Sequence, residues 1–132
     1  MAITQAIATV FKQDLMSPGG NLAALTLKCA LYTNAATLNA TTAAYAVGNE
    51  VTSSGSNYTA GGNVLANVAI SVDGTTAIFD ADNVTFPNAT ISAQAALLYN
   101  ANNANSAIAI LDFGGVKTST NGTFELQFPT AN

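Results

Sequence analysis

Asp80 and Asp82, in the run Asp-Ala-Asp-Asn ending at Asn83, come nearest in this chain to the spacing that metal chemistry needs. Carboxylate oxygens two residues apart suit a hard cation such as calcium, but the remaining ligand positions of an EF-hand loop are missing. The same residue types favour a polar turn between strands, and that is the reading adopted. The chain has no histidine, so the commonest general acid and base is missing. Nucleophilic arrangements of the Cys/His or Ser/His/Asp kind cannot be assembled within one chain. Asp112 and Glu125 fall on strand-like segments, and nothing pairs them as a glycosidase couple. The glycine pairs at 19–20, 61–62 and 114–115 lack the strand, helix and lysine context of a phosphate loop and read as turns. These absences predict a protein that is not an enzyme and that uses no metal or cofactor.

Cys29 is the single cysteine, which excludes an intrachain disulfide and a zinc-binding cysteine cluster. It reads as a small apolar residue buried in a strand. Tyr45 and Tyr58 flank an Asn/Ser/Gly-rich stretch. Aromatic rings beside amides can bind a glycan or contact a protein partner, and they also serve as packing anchors. The formal net charge is −4, with Lys12, Lys28 and Lys117 as the only cationic side chains. Nucleic-acid binding needs clustered Lys and Arg for counterion release, so none is expected. No apolar run is long enough to span a bilayer, and the N-terminal residues lack the pattern of a secretory signal, so synthesis in a cytoplasm is expected. Charged residues make up 8% of the chain against about 25% in an ordinary globular protein. A surface of Asn, Thr, Ser and Gly resists self-association poorly, which points to burial against partner subunits.

Ile3, Ile7, Val10, Phe11 and Leu15 recur at helical spacing, which predicts an amphipathic helix over residues 3–15, ended by Ser17-Pro18-Gly19-Gly20. Its apolar stripe packs on the domain or reaches a neighbouring subunit. Leu25 to Tyr32 alternates as a half-buried strand, with Leu25, Leu27, Cys29 and Leu31 on one face. Residues 33–62 are polar and small, with a short strand expected near Tyr45 to Val51 and a working surface beside it. Residues 64–72 read as another strand. Asp73-Gly74 then predicts a hairpin through a type I′ turn into residues 75–79. Val84 to Phe86 suggest a short strand that Pro87 ends or places at an edge. Two central strands follow, placing Ile91, Ala93, Ala95, Leu97 and Tyr99 on one face and Ala107, Ala109, Leu111 and Phe113 on another. Both are apolar on both sides, so both faces of the sheet should be covered. Gly114-Gly115 reads as a turn, and Thr123 to Phe128 as a closing strand. The expected fold is mainly β. It is one antiparallel β-sandwich or jelly-roll-like barrel of about seven strands with a short N-terminal α-helix. Residues 1–132 form a single domain, with the helix or arm over 1–20 and the sandwich over 24–129.

Leu27-Lys28-Cys29-Ala30-Leu31-Tyr32-Thr33, then Ala36-Thr37-Leu38-Asn39-Ala40 leading to Tyr45 and Glu50, then Asn57-Tyr58-Thr59-Ala60-Gly61-Gly62 form a set of short motifs. With Phe11-Lys12-Gln13-Asp14-Leu15, Ala95-Ala96-Leu97-Leu98-Tyr99-Asn100 and Leu111-Asp112-Phe113-Gly114-Gly115, the set resembles a family of small virion structural proteins of tailed bacteriophages. The resemblance implies a non-enzymatic head decoration or cement protein on the outer surface of the phage particle. A neck or tail component is the nearby alternative, and a host-glycan-binding surface module a second. It further implies a homo-oligomer whose partners are the major capsid protein or other virion proteins, with no nucleic acid and no membrane. Ile3, Ile7, Phe11, Leu15, Tyr45 and Tyr58 are the expected interface residues.

Overall fold

The computed structural model describes Ile3 and residues 6–9, 26–102 and 104–126. It is mainly β, and its strand pairings are antiparallel. In chain order the strands are β1 (Ala6–Ile7), β2 (Leu27–Tyr32), β3 (Asn63–Val64), β4 (Ala69–Asp73), β5 (Thr76–Asp80), β6 (Val84–Asn100) and β7 (Ser106–Leu126). Five of them form one sheet in the order β1-β7-β6-β2-β3, and β4 and β5 form a separate hairpin.

The centre is the expected one. Leu97 of β6 lies between Ala30 of β2 and Ile110 of β7, and all three are buried. Both faces of this sheet are covered. Leu27, Cys29, Leu31, Ala96 and Leu98 belong to one core cluster, while Ala30, Tyr32, Ala95, Leu97, Tyr99 and Ile110 belong to a second. Ala8, Ala36 and Leu38 cover the second face, and Val51, Tyr58 and Leu65 pack in the first. Alanine at 95, 96 and 107, each at most 1% exposed, lets these covering segments approach the sheet closely.

Several boundaries differ from expectation, and irregular backbone positions account for most of them. The strands expected at 84–86 and 91–99 are one strand, because Pro87 and Asn88 occupy an irregularity between Phe86 and Ala89. A bulge leaves a position where proline's missing N–H costs no ladder bond, and Asn88 takes a φ of 52° there. The segments around Leu111 and Phe124 are likewise one strand. Ala93 pairs with Lys117 and Ala95 with Asp112, so Phe113 to Val116 bulge out opposite Gln94. Gly114, at a φ of 79°, makes this bulge, where a turn was expected.

The bulges also break the expected alternation. Ile91 and Ala93 share a face with Ala96 and Leu98, not with Ala95, Leu97 and Tyr99. On β7 a register shift beside Ile108 puts Ala107 and Ile110 on one face and Ala109 on the other. Each extra residue switches the side-chain parity of everything beyond it.

The strand expected over 64–72 is split into β3 and β4, with Asn67 between them at a φ of 52°. The hairpin is present, but Asp73 pairs with Thr76, so the turn residues are Gly74 and Thr75. Of the two, only Gly74 has positive φ, the pattern of a type II′ turn and not of type I′. Tyr45 to Val51 forms no strand and contributes an isolated bridge between Tyr32 and Glu50. The helix expected from Ile3 is replaced at its start by β1, with Ala6 opposite Ile110 and Ile7 opposite Ala109. Backbone pairing with the edge of β7 outweighs the weak helical preference of so short a segment. Phe11 and Leu15 lie outside the described residues.

Beyond the end of β2, β6 and β7 continue as a two-stranded ribbon. Its inner face carries Val84, Phe86, Ala89, Ile91 and Phe124 into the first core cluster. Its outer face exposes Thr85, Thr90, Ser92 and Thr118. The β6 edge of the ribbon is held by β3 and the loop before it: Asn57 and Asn63 donate side-chain N–H bonds to the Pro87 and Thr85 carbonyls, and Thr90 N–H donates to the Ser56 carbonyl at 2.8 Å.

Candidate functional site

All four tyrosines of the chain converge on one carboxylate, Glu50. Tyr32 and Tyr99 come from same-face positions on neighbouring strands β2 and β6, while Tyr45, Glu50, Tyr58 and Gly61 come from the long polar segment that covers them. Glu50 Oε1 accepts the Tyr45 hydroxyl at 2.7 Å, and Oε2 accepts the Tyr58 hydroxyl at 2.6 Å and the Gly61 N–H at 2.7 Å. The Tyr58 oxygen also accepts the Leu31 N–H at 2.9 Å, standing in for a strand on that edge of β2. Tyr99 donates to the Gly61 carbonyl at 2.7 Å and Tyr32 to the Ala46 carbonyl at 2.6 Å. The Tyr45 and Tyr99 rings stack with centroids 4.9 Å apart. Tyr58 packs on Phe86, which meets Phe124 edge-on.

The electrostatics hold these phenols protonated. Burial pushes Tyr32 up to about 12. Burial, together with hydrogen bonding to the Glu50 carboxylate, raises Tyr45 and Tyr58, and burial beside Glu50 raises Tyr99. Cys29 is fully buried, which pushes its thiol up to about 12. A phenol held neutral by an acceptor is a poor base, a thiol in an apolar core is a poor nucleophile, and a carboxylate holding three donors is already well occupied. The cluster ties β2, β6 and the 33–62 segment together.

Of the six residues singled out in the sequence, Tyr45 and Tyr58 are brought together through Glu50. Tyr58 is 2% exposed, so in this state its ring offers no surface to a glycan or a partner and acts as a packing anchor. Tyr45 is half-buried. Ile3 is half-buried too, bridged to Leu38 and packed against the second core cluster. Ile7 lies on β1, and Phe11 and Leu15 are outside the described residues. Asp80 Oδ1 accepts the N–H of Ala81, and Asp82 Oδ2 accepts from Asn67 Nδ2. Among the described residues, no three His, Cys, Asp or Glu side chains gather as a metal site.

Sequence reasoning missed Glu50 as the hub and Gly62 as a contact point. The available signal was a lone acidic residue in a polar segment bracketed by two tyrosines. Next to Glu50 a cleft of about 560 Å3 opens where β2 ends, walled by Thr33, Asn49 and Thr52 on one side and by the ribbon on the other. No protein-family model, curated protein or solved structure matches the chain.

Proposed function

We propose that this chain is a non-enzymatic structural protein of a bacteriophage particle, a decoration or cement protein that binds the assembled head in many copies. The observation that carries the reading is the Glu50 cluster, whose carboxylate and hydroxyls are occupied in holding strands and their covering segment together. The resemblance of the Leu27 to Thr33, Asn57 to Gly62 and Leu111 to Gly115 motifs to small virion proteins supplies the biological setting. The scarcity of charge and the exposed Val47, Val64 and Val116 suit a surface that works by contact area with the capsid protein and with copies of itself. The acidic balance suits the outer face of a particle better than one against packaged DNA. A layered β-sandwich is part of this proposal, supported by the separate core clusters on the two faces of the sheet.

Such a protein stabilises its particle by mass action, through binding the assembled shell and not its dissociated parts. The test is its copy number relative to the major capsid protein in purified particles, combined with thermal release of DNA from particles with and without it. Copies comparable in number to the capsid protein, and earlier DNA release without it, are expected. A few copies per particle would move it to the neck or tail. Equal release temperatures would overturn cementing.

A further inference from the structure

Seven of the eleven residues lining the cleft beside Glu50 carry a hydroxyl. Ser92 and Thr118 face each other across the ribbon, with Thr120 next along β7. All three are exposed, and their hydroxyls make no side-chain hydrogen bond among the described residues. Other hydroxyls of the cleft are engaged: Thr33 donates to the Asn49 carbonyl at 3.1 Å and Ser119 to the Ala89 carbonyl at 2.8 Å. Val51 and Ile91 also border the cleft, but at 5% and 1% exposure they turn their side chains into the first core cluster.

This lining selects one class of ligand. No lysine or arginine lines the cleft, so an anion would find no counter-charge. Glu50, its one ionisable group, already holds three donors. A peptide adding as a strand would need a free backbone edge on β6, but Thr90 N–H already donates to Ser56. What remains is a row of hydroxyls that donate and accept, beside the threonines' own methyl groups, in a volume within the usual ligand range of about 300–1,000 Å3.

We propose that the cleft is a saccharide-binding site that takes one or two neutral sugar units, with Ser92, Thr118 and Thr120 hydrogen-bonding the sugar hydroxyls and the threonine methyls contacting its C–H face. Without an aromatic platform each site binds weakly, in the millimolar range. An array of many copies would turn such contacts into useful avidity, and that clause alone rests on the shell reading.

The test is a titration of the full-length 15N-labelled chain with maltose, cellobiose, lactose and chitobiose, followed by amide chemical shifts. At millimolar sugar, at least one of the four is expected to move the amides of Thr90 to Ser92 and Thr118 to Thr120. Thr118→Val keeps the side-chain shape and should weaken binding about tenfold, as expected for a lost ligand hydrogen bond. Ser92→Ala provides a second variant should the first disturb the fold. The proposal is overturned if no sugar moves these amides or if the shifts persist unchanged in a folded variant. None of these outcomes bears on copy number in the particle.

Discussion

The Tyr58 hydroxyl stands between two strangers in sequence, donating to Glu50 at 2.6 Å while accepting the Leu31 N–H at 2.9 Å. A side chain thereby closes part of the β2 edge and anchors the segment that covers the first core cluster. Tyr58→Phe keeps the ring against Phe86 but leaves the buried Leu31 amide without an acceptor, at a cost of about 1–3 kcal/mol. Urea denaturation should show this loss. A cycle with Glu50→Gln should show a coupling energy of about 0.5–3 kcal/mol, and simple additivity would mean that the two residues act separately.

Gly62 lies flat against β2. A β-carbon there would sit 1.8 Å from the Cys29 carbonyl oxygen, at a φ of 79°. Gly62→Ala should cost about 3 kcal/mol or more, because backbone must move to admit it. Gly55, at a φ of 71° with open space around it, is the control, and its alanine variant should lose only about 1–2 kcal/mol. Equal losses in the two variants would show that strain alone, without the close approach, sets the cost.

Alkaline pH should unfold the protein steeply. In the unfolded chain a tyrosine ionises near pH ~10. In the fold all four are raised, Tyr32 to about 12. Below the unfolded value their contribution to stability is complete. As pH climbs from there towards the folded values the unfolded state gives up its protons first, so stability falls. The slope is at most about 1.4 kcal/mol per pH unit for each fully buried phenol, and less for the half-buried Tyr45 because solvent screens it. Phenolate absorbance should rise together with loss of the circular dichroism signal. Tyrosines that titrate near pH ~10 in a protein still folded would contradict the cluster as described.

The Cys29 thiol should resist alkylation at mildly alkaline pH for as long as the protein is folded. Complete burial denies the reagent access, and the raised pKa denies it a thiolate. Mass spectrometry should find it unmodified by iodoacetamide in buffer and fully modified in urea. Rapid modification in buffer would place it near the surface or on a strand that opens easily.

Much of the strand content was legible because short-range rules carry it. Leu27, Cys29 and Leu31 alternate with Ala30 and Tyr32, and these two sets occupy opposite core clusters. Asp73-Gly74 announced a hairpin, since few residues accept the backbone such turns require. Apolar residues on both sides of residues 91–99 announced a sheet covered on both faces. The bulges at Pro87–Asn88, at Phe113 to Val116 and beside Ile108 were not legible as such, because proline and glycine punctuate a turn and a bulge alike.

The composition by itself determined that no histidine, arginine or paired-thiol chemistry is available to this chain, and the alternation of its residues determined a mainly β fold around residues 91–111. Only the tertiary structure decided which face Ala95 and Ile108 adopt, that Glu50 gathers all four tyrosines, and that Thr33 and Thr118 wall one cleft. The reason is range. Alternation and turn preference act over a few residues, whereas the Leu31 amide reaches Tyr58 across 27 positions and the Tyr99 hydroxyl reaches Gly61 across 38. Such contacts exist only once the register of β6 against β2 and β7 has been set, and a single inserted residue in that register moves every side chain beyond it to the other face.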